Sequence, residues 1–201
     1  LLQNQRQHNK HQQLIILQQT NQIVSMLRHF LAFPNQLHQA TNYQRLAKII
    51  SLLSPKDVKD GDYIRVGKDF DGGYVMLKNF LSNNVDAAYS FGISDDVSWD
   101  EGIADFGVDI FMYDHTIDKL PKNNPRFNWF KVGLTGHKQA EHLETLSTLI
   151  RRNGHSEANN LILKMDIEYN EWDVFDECSS ETISQFAQII IEFHGLSLEM
   201  S

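Results

Sequence analysis

The chain has 201 residues, of which 41% are hydrophobic and 22% charged, enough apolar material for one α/β domain and an extension. Its single cysteine, Cys178, excludes an internal disulfide framework and favours a reducing compartment, so we expect a cytoplasmic protein. No apolar run reaches the roughly 18 residues that a membrane span needs.

Charge is distributed unevenly along the chain. Residues 1–56 contain no Asp or Glu, whereas all 26 acidic residues and 12 of the 18 Lys and Arg follow them, for a net charge of −8. An acidic body repels the phosphate backbone, which argues against a nucleic-acid partner. We expect the basic segment to pack on the acidic body or on a partner subunit rather than to bind RNA or anionic lipid.

The first elements in chain order are two predicted helices. A stripe with 4-3-4-3 spacing predicts an amphipathic helix that is compatible with a short coiled coil: Ile16, Thr20, Ile23, Leu27 and Phe30. A second helix is predicted over 44–53. We assign residues 1–56 to an N-terminal helical extension that mediates homo-oligomer formation or docks on the body, and residues 57–201 to an α/β domain.

The domain opens with a predicted hairpin. Ile64 and Val66 alternate with polar residues, Asp71-Gly72-Gly73 interrupts the pattern, and an extended run resumes at 74–77. Alternation on both sides of a glycine turn is typical of two antiparallel strands.

Strands and helices then alternate. Apolar runs predict strands within 86–96, 108–116, 160–168 and 186–195, with a short one at 128–132. Helices are predicted over 98–106 and 137–153, with helical or turn-like segments at 171–178 and 180–185. This order predicts a parallel sheet with right-handed crossovers. A doubly wound sheet usually continues beyond a fifth strand, so we expect further C-terminal strands after Ser201.

Polar residues follow the predicted strands, whose carboxyl ends form the ligand crevice of an open α/β sheet. Gly92 lies after the first long run, and Asp114 ends the second about 20 residues later, the spacing of a ribose-binding acid. The turn lacks GxGxxG, and the carboxylates of Asp95 and Asp96 before a helix repel phosphate but suit a ligand with a positive centre. The alternative is that Ser94 or Asp95 simply caps the helix.

Each of the last two predicted strands ends in a pair of polar residues. Asp166 and Glu168 could ligate a divalent metal, orient a substrate hydroxyl or border the site, and one such pair does not define a metal site. Glu192 and His194 repeat this spacing, and His194 is a candidate general base for a hydroxyl acceptor. Its alternative role is a hydrogen bond to a loop carbonyl. Cys178 is expected to be a small core residue.

Five blocks occur in one order along the chain: RVGKDFDGGYVML, AYSFGISDDVSWD, MYDHTIDKLP, LKMDIEYNEWDV and IIIEFHGL. Together they resemble the FkbM-like group of S-adenosylmethionine-dependent methyltransferases, particularly its methyltransferase-24-like bacterial relatives. The resemblance covers about residues 62–196. One position departs from it, because Tyr169 stands where the family usually has glycine.

The resemblance implies a class I methyltransferase fold over residues 57–201, a Rossmann-like sheet with S-adenosylmethionine across the ends of its first strands. It places Phe91, Gly92 and Ile93 beside the methionine part of the cofactor and Asp95 or Asp96 near its amino group. It assigns ribose binding to Asp114 and counts the next residue, His115, among the cofactor-binding residues. Gly72 and Gly73 would close over the cofactor, and Asp166 and Glu168 would face the reacting centre.

The implied reaction is methylation of a hydroxyl on a saccharide or small metabolite, with His194, Glu168 or Asp166 as base or orienting group. Two alternatives stay open. A nicotinamide-dependent oxidoreductase could use the same sheet, although the missing GxGxxG and the paired acids speak against it. A catalytically degenerate module could instead bind a partner through the N-terminal helix.

Overall fold

The computed structural model describes residue 58 and residues 61–81, 84–137 and 141–194. The predicted N-terminal helices, their proposed role in self-association and the expected C-terminal strands lie outside the described residues. Within the described part, no helix has the length and apolar character that crossing a membrane requires.

A hairpin opens the domain, as predicted. Strand β1 (Tyr63–Val66) pairs antiparallel with β2 (Tyr74–Leu77), and a short helix α1 (Lys78–Leu81) follows. The remaining elements in chain order are β3 (Ala87–Phe91), α2 (Ser98–Asp105), β4 (Ile110–Tyr113), β5 (Phe127–Phe130), β6 (Gly133–Leu134), β7 (Leu143–Glu144), α3 (Leu146–Arg152), β8 (Leu161–Met165), α4 (Glu171–Glu177), α5 (Ser180–Ser184) and β9 (Phe186–Ile191).

Five strands form the main sheet in the order β5-β4-β3-β8-β9, and every neighbouring pair is parallel. The predicted parallel α/β sheet is therefore confirmed. Phe91 pairs with Tyr113 on one side and with Met165 on the other, so the central strands end level. Both β3 and β8 are buried at every residue, as expected for central strands covered on both faces.

Helices cover both faces because successive strand side chains point to opposite sides. On one face, Ala88 and Ile162 pack with Trp99 and Ile103 of α2 and with the hairpin. On the other face, a second cluster combines β3 and β8 side chains with α3 and α4, and it contains Tyr89, Phe91, Leu149, Leu163 and Val174. Cys178 is partly buried against this second cluster, in line with the predicted core role.

The helix predicted over 137–153 is wrong in its first half. Residue 137 is in a bend, Leu143–Glu144 form the short strand β7 beside β6, and α3 begins only at Leu146. The Thr145 side chain accepts a hydrogen bond from the Thr148 N–H at 3.4 Å, which caps the helix there. The predicted end at Gly154 is correct.

The order of strands reverses between β3 and β8. From β3 the chain moves outward through β4 and β5, and then returns to place β8 and β9 on the opposite side. The carboxyl ends of the two central strands therefore border a crevice, the usual ligand position in such sheets.

Gly92 allows the two central strand ends to approach closely. Its φ is +75°, and a Cβ at this position would lie 1.6 Å from the Asp166 carbonyl oxygen. A side chain of any size is therefore excluded on two grounds, backbone conformation and collision with main-chain atoms.

We expect Gly92→Ala to lower the free energy of unfolding by about 4 kcal/mol or more, because strain and collision act together. Gly154→Ala is the matched control, since Gly154 has a φ of +80° but a Cβ added there would meet nothing within 4 Å. The control should lose only about 1–2 kcal/mol. Urea denaturation measures both, and equal losses would contradict the close approach.

Candidate functional site

A cleft of about 230 Å³ opens at the carboxyl ends of β3 and β8. Residues from the hairpin, from the turn after β3, from the start of α2 and from the ends of β8 and β9 border it. Its lining is Lys68, Asp71, Gly72, Tyr74, Gly92, Ile93, Ser94, Asp95, Asp96, Trp99, Asp100, Lys164, Asp166, Glu168, Glu192 and His194. Seven carboxylates against two lysines make this cleft strongly negative.

The hairpin is tied to the start of α2 above the cleft. The Lys68 ammonium is 3.3 Å from a carboxylate oxygen of Asp96, and the Ser98 hydroxyl donates to the Gly72 carbonyl at 3.3 Å. The Ser98 N–H donates to Asp96 at 3.2 Å, whereas the N-cap residue of α2 is Val97, and no side chain makes a capping hydrogen bond there. Neither Ser94 nor Asp95 has the capping role that was the alternative for this turn.

Asp114 fixes the turn after β3 from the end of β4. One carboxylate oxygen accepts the N–H groups of Ile93 and Ser94, each at 2.9 Å. The other accepts the N–H and the hydroxyl of Thr116, at 2.8 and 2.6 Å. Burial alone would raise the pKa of Asp114, but these hydrogen bonds outweigh it and hold the pKa below its usual range. All four lone-pair positions of the carboxylate are therefore used within the protein.

Two buried charged residues, Lys164 and Asp100, line the cleft. Lys164 is the charged residue inside the apolar strand β8, and its ammonium donates to the Gly92 carbonyl at 2.6 Å. Asp100 on α2 is 2% exposed, and its Oδ1 has no hydrogen-bond partner among the described residues. Burial raises the pKa of Asp100 to about 6, although the nearby Lys164 charge opposes the shift.

Carboxylates gather where β8 and β9 end. The Tyr74 hydroxyl donates to Asp166 Oδ2 at 3.0 Å and lies 3.5 Å from a Glu192 oxygen. Burial, followed by the Asp166 charge, raises the pKa of both Tyr74 and Glu192. Glu168 follows Asp166 in a left-handed conformation, with a φ of +53°, and Tyr169 continues it at +78°. The chain thus turns sharply after Asp166 instead of continuing as a strand.

His194 is held in a defined orientation beside this group. Its Nδ1 is 2.9 Å from Oε1 of Glu171, a fully buried residue that also accepts the Ile167 N–H at 3.0 Å. Its carbonyl accepts the Trp172 indole N–H at 2.8 Å. The hydrogen bond to Glu171 raises the pKa of His194, burial opposes this, and Glu168 and Asp166 add to the rise. The alternative partner for the imidazole, a loop carbonyl, is not the one that the structure shows.

The structure brings together most of the predicted site residues. Those that line the cleft are Gly72, Gly92, Ile93, Asp95, Asp96, Asp166, Glu168 and His194. The others lie outside the lining. Phe91 is buried in the core, Gly73 faces the Lys68 carbonyl within the hairpin loop, and His115 packs against Gly133. Together with Asp114, these three have only a predicted cofactor role.

Among the site residues that sequence reasoning missed, four make contacts that organise the site: Tyr74, Asp100, Lys164 and Glu171. Lys164 could have been identified from the sequence, because a lysine within the apolar run LILKM needs a buried hydrogen-bond or charge partner. The other three occupy ordinary positions on a strand or helix, and only the packed structure shows where their side chains meet.

No family model, curated protein or solved structure matches the chain. The site must therefore be interpreted from its own geometry and charge.

We expect Asp114→Ala to lower the free energy of unfolding by about 3 kcal/mol, because it leaves main-chain N–H groups without acceptors. Asp118→Ala is the control, since the Asp118 side chain is 92% exposed. Its effect should stay within about 0.5 kcal/mol. Chemical denaturation of both variants checks this, and a loss below about 1 kcal/mol for Asp114→Ala would contradict the anchoring role.

The raised pKa of Asp100 predicts a specific pH dependence of stability. The folded state prefers the neutral acid, so this residue's contribution should fall as pH rises from about 4, where the unfolded acid ionises, to about 6. The loss should total about 3 kcal/mol relative to Asp100→Asn, which cannot ionise. Denaturation series at several pH values measure the difference. Asp105→Asn, an exposed acid on the same helix, should show no such trend, and a pH-independent difference for Asp100→Asn would refute the assignment.

Proposed function

We propose that this chain is an S-adenosylmethionine-dependent methyltransferase that methylates a hydroxyl of a saccharide or small metabolite. The observation that carries the proposal is the acidic cleft at the switch point between β3 and β8. Open α/β sheets bind their ligands at this position, and the charge of the lining selects among cofactors.

The charge favours a cofactor with positive centres. S-Adenosylmethionine has a sulfonium and an amino group, and both are attracted by the carboxylates that line the cleft. The pyrophosphate of a nicotinamide cofactor would be repelled by the same groups. The turn after β3 also brings Asp95 and Asp96 to the start of α2, where a pyrophosphate would otherwise use helix N–H groups.

The residues present fit this cofactor in chemical terms. Gly92 and Ile93 would border its methionine part, and Asp95 or Asp96 would hold its amino group, since all four line the cleft. A direct contact between Asp114 and the ribose requires exchange of at least one of the four hydrogen bonds that this carboxylate makes within the protein. Asp114 therefore supports the proposal mainly because it holds the turn after β3 in the shape that borders the cleft.

When bound, S-adenosylmethionine supplies an electrophilic methyl group. The chain itself must position the acceptor hydroxyl and take up its proton. Asp166, Glu168 and His194 are the groups that we assign to this task, because His194 Nε2 lies 3.9 and 3.5 Å from oxygens of the two acids. Tyr169, 69% exposed, packs its ring 5.5 Å from the His194 ring and offers an aromatic surface to an acceptor.

Calorimetric titration of the full chain with S-adenosylhomocysteine tests the proposal, with NAD as the control ligand. We expect one-to-one binding of S-adenosylhomocysteine alone. Asp95→Asn should weaken it about tenfold, the cost of one charge-assisted contact, whereas Asp105→Asn, at the far end of α2, should leave it unchanged.

Binding of NAD instead would favour the oxidoreductase. Binding of neither ligand by a sample with a cooperative unfolding transition would refute the cofactor assignment and favour a non-catalytic binding module.

A further inference from the structure

Three side chains with metal-ligating atoms converge at the ends of β8 and β9. The ligand atoms of Asp166, Glu168 and His194 all lie within 4.8 Å of one another. His194 Nε2 is 3.5 Å from a Glu168 oxygen and 3.9 Å from Asp166 Oδ1. Two ligands that each lie about 2.1 Å from one ion are about 3.4 Å apart at the tetrahedral angle, so the observed spacing needs little adjustment.

His194 is oriented in the way that metal-binding histidines are. A carboxylate only accepts hydrogen bonds, so the contact between Glu171 and Nδ1 places a proton on Nδ1. In the neutral ring, Nε2 therefore presents its lone pair to Asp166 and Glu168. Carboxylate–histidine pairs of this kind fix the tautomer and ring orientation at metal centres. Glu171 is fully buried and held by Ile167, which makes the support rigid.

A separate observation in the same cleft also favours positive charge there. Asp100 lines the cleft and is 2% exposed, yet its Oδ1 has no hydrogen-bond partner among the described residues. A buried carboxylate oxygen without a donor is costly, and positive charge in the cleft, of which Lys164 supplies one, reduces that cost. On the other side of Asp166, the carboxylates of Asp71 and Glu192 lie within 4.8 Å of it and add to the negative potential.

We propose that Asp166, Glu168 and His194 bind one divalent first-row metal ion, Mn²⁺ or Zn²⁺. Tyr74 occupies Asp166 Oδ2, which leaves Oδ1 on the His194 side for the ion. The imidazole nitrogen favours these metals over Mg²⁺ or Ca²⁺, and three protein ligands leave a position for water or a hydroxyl. The site is defined by side chains alone and does not depend on the proposed methyltransferase activity. With an ion on Nε2, His194 would act on an acceptor hydroxyl through the metal and would not itself take up the proton.

Titration of the chelator-treated full chain with Mn²⁺, followed by the electron paramagnetic resonance signal of the free ion, tests this inference. We expect one saturable site from which Zn²⁺ displaces Mn²⁺. Asp166→Asn and His194→Ala should abolish it. Glu171→Gln, which keeps its shape and burial, should weaken it about 10- to 100-fold because it disturbs only the support of His194.

Asp176→Asn is the matched control, because Asp176 is an exposed acid on the same helix as Glu171. It should bind Mn²⁺ like the parent chain. Thermal unfolding provides a second readout: Mn²⁺ should raise the Tm of the parent and the control but raise that of Glu171→Gln less. This comparison remains decisive if a ligand variant does not fold.

Either of two results would overturn the proposal. One is the absence of saturable Mn²⁺ binding by the folded parent chain. The other is unchanged affinity in Glu171→Gln together with His194→Ala, which would place any bound ion elsewhere, for example on histidines of the N-terminal segment.

Discussion

The close approach of two main-chain segments determines the shape of the cleft. The turn after β3 passes so near the end of β8 that only glycine fits at position 92. The Lys164 ammonium stabilises this contact between the turn and β8 by donating a hydrogen bond to the Gly92 carbonyl. On the other side of the turn, the Asp114 carboxylate accepts hydrogen bonds from the Ile93 and Ser94 N–H groups. The strand ends, and with them the polar side chains that follow, are therefore fixed relative to one another.

Electrostatics makes this rigidity necessary. Carboxylates packed around one cleft repel each other and would push a loose structure apart. Individual contacts offset this repulsion. The Tyr74 hydroxyl donates to Asp166, the Lys68 ammonium pairs with Asp96, and the Ile167 N–H donates to Glu171. What remains is an excess of negative charge facing the opening, and this excess underlies both the cofactor and the metal proposals.

The sequence predicted the parts of this arrangement that depend on local pattern. Apolar runs located the five strands of the sheet, and the polar residues after them located the crevice. The helix over 137–153 was overextended because the leucines of β7 and α3 share a helical spacing, whereas the capping Thr145 decides where the helix begins. Glu171 and Asp100 could not be predicted as site residues, because their roles depend on contacts with distant strands.

The central pairing also has a consequence for the order of folding. Residues 87–91 of β3 pair with 161–165 of β8, some seventy positions further along the chain, whereas β4 and β5 lie much nearer in sequence. Closing so long a loop lowers the entropy of the chain before any native contact stabilises the pairing. The half-sheet of β3, β4 and β5 can form early, but the cleft cannot exist until β8 docks. During synthesis, the emerging chain therefore exposes the apolar edge of β3 until most of the domain has left the ribosome.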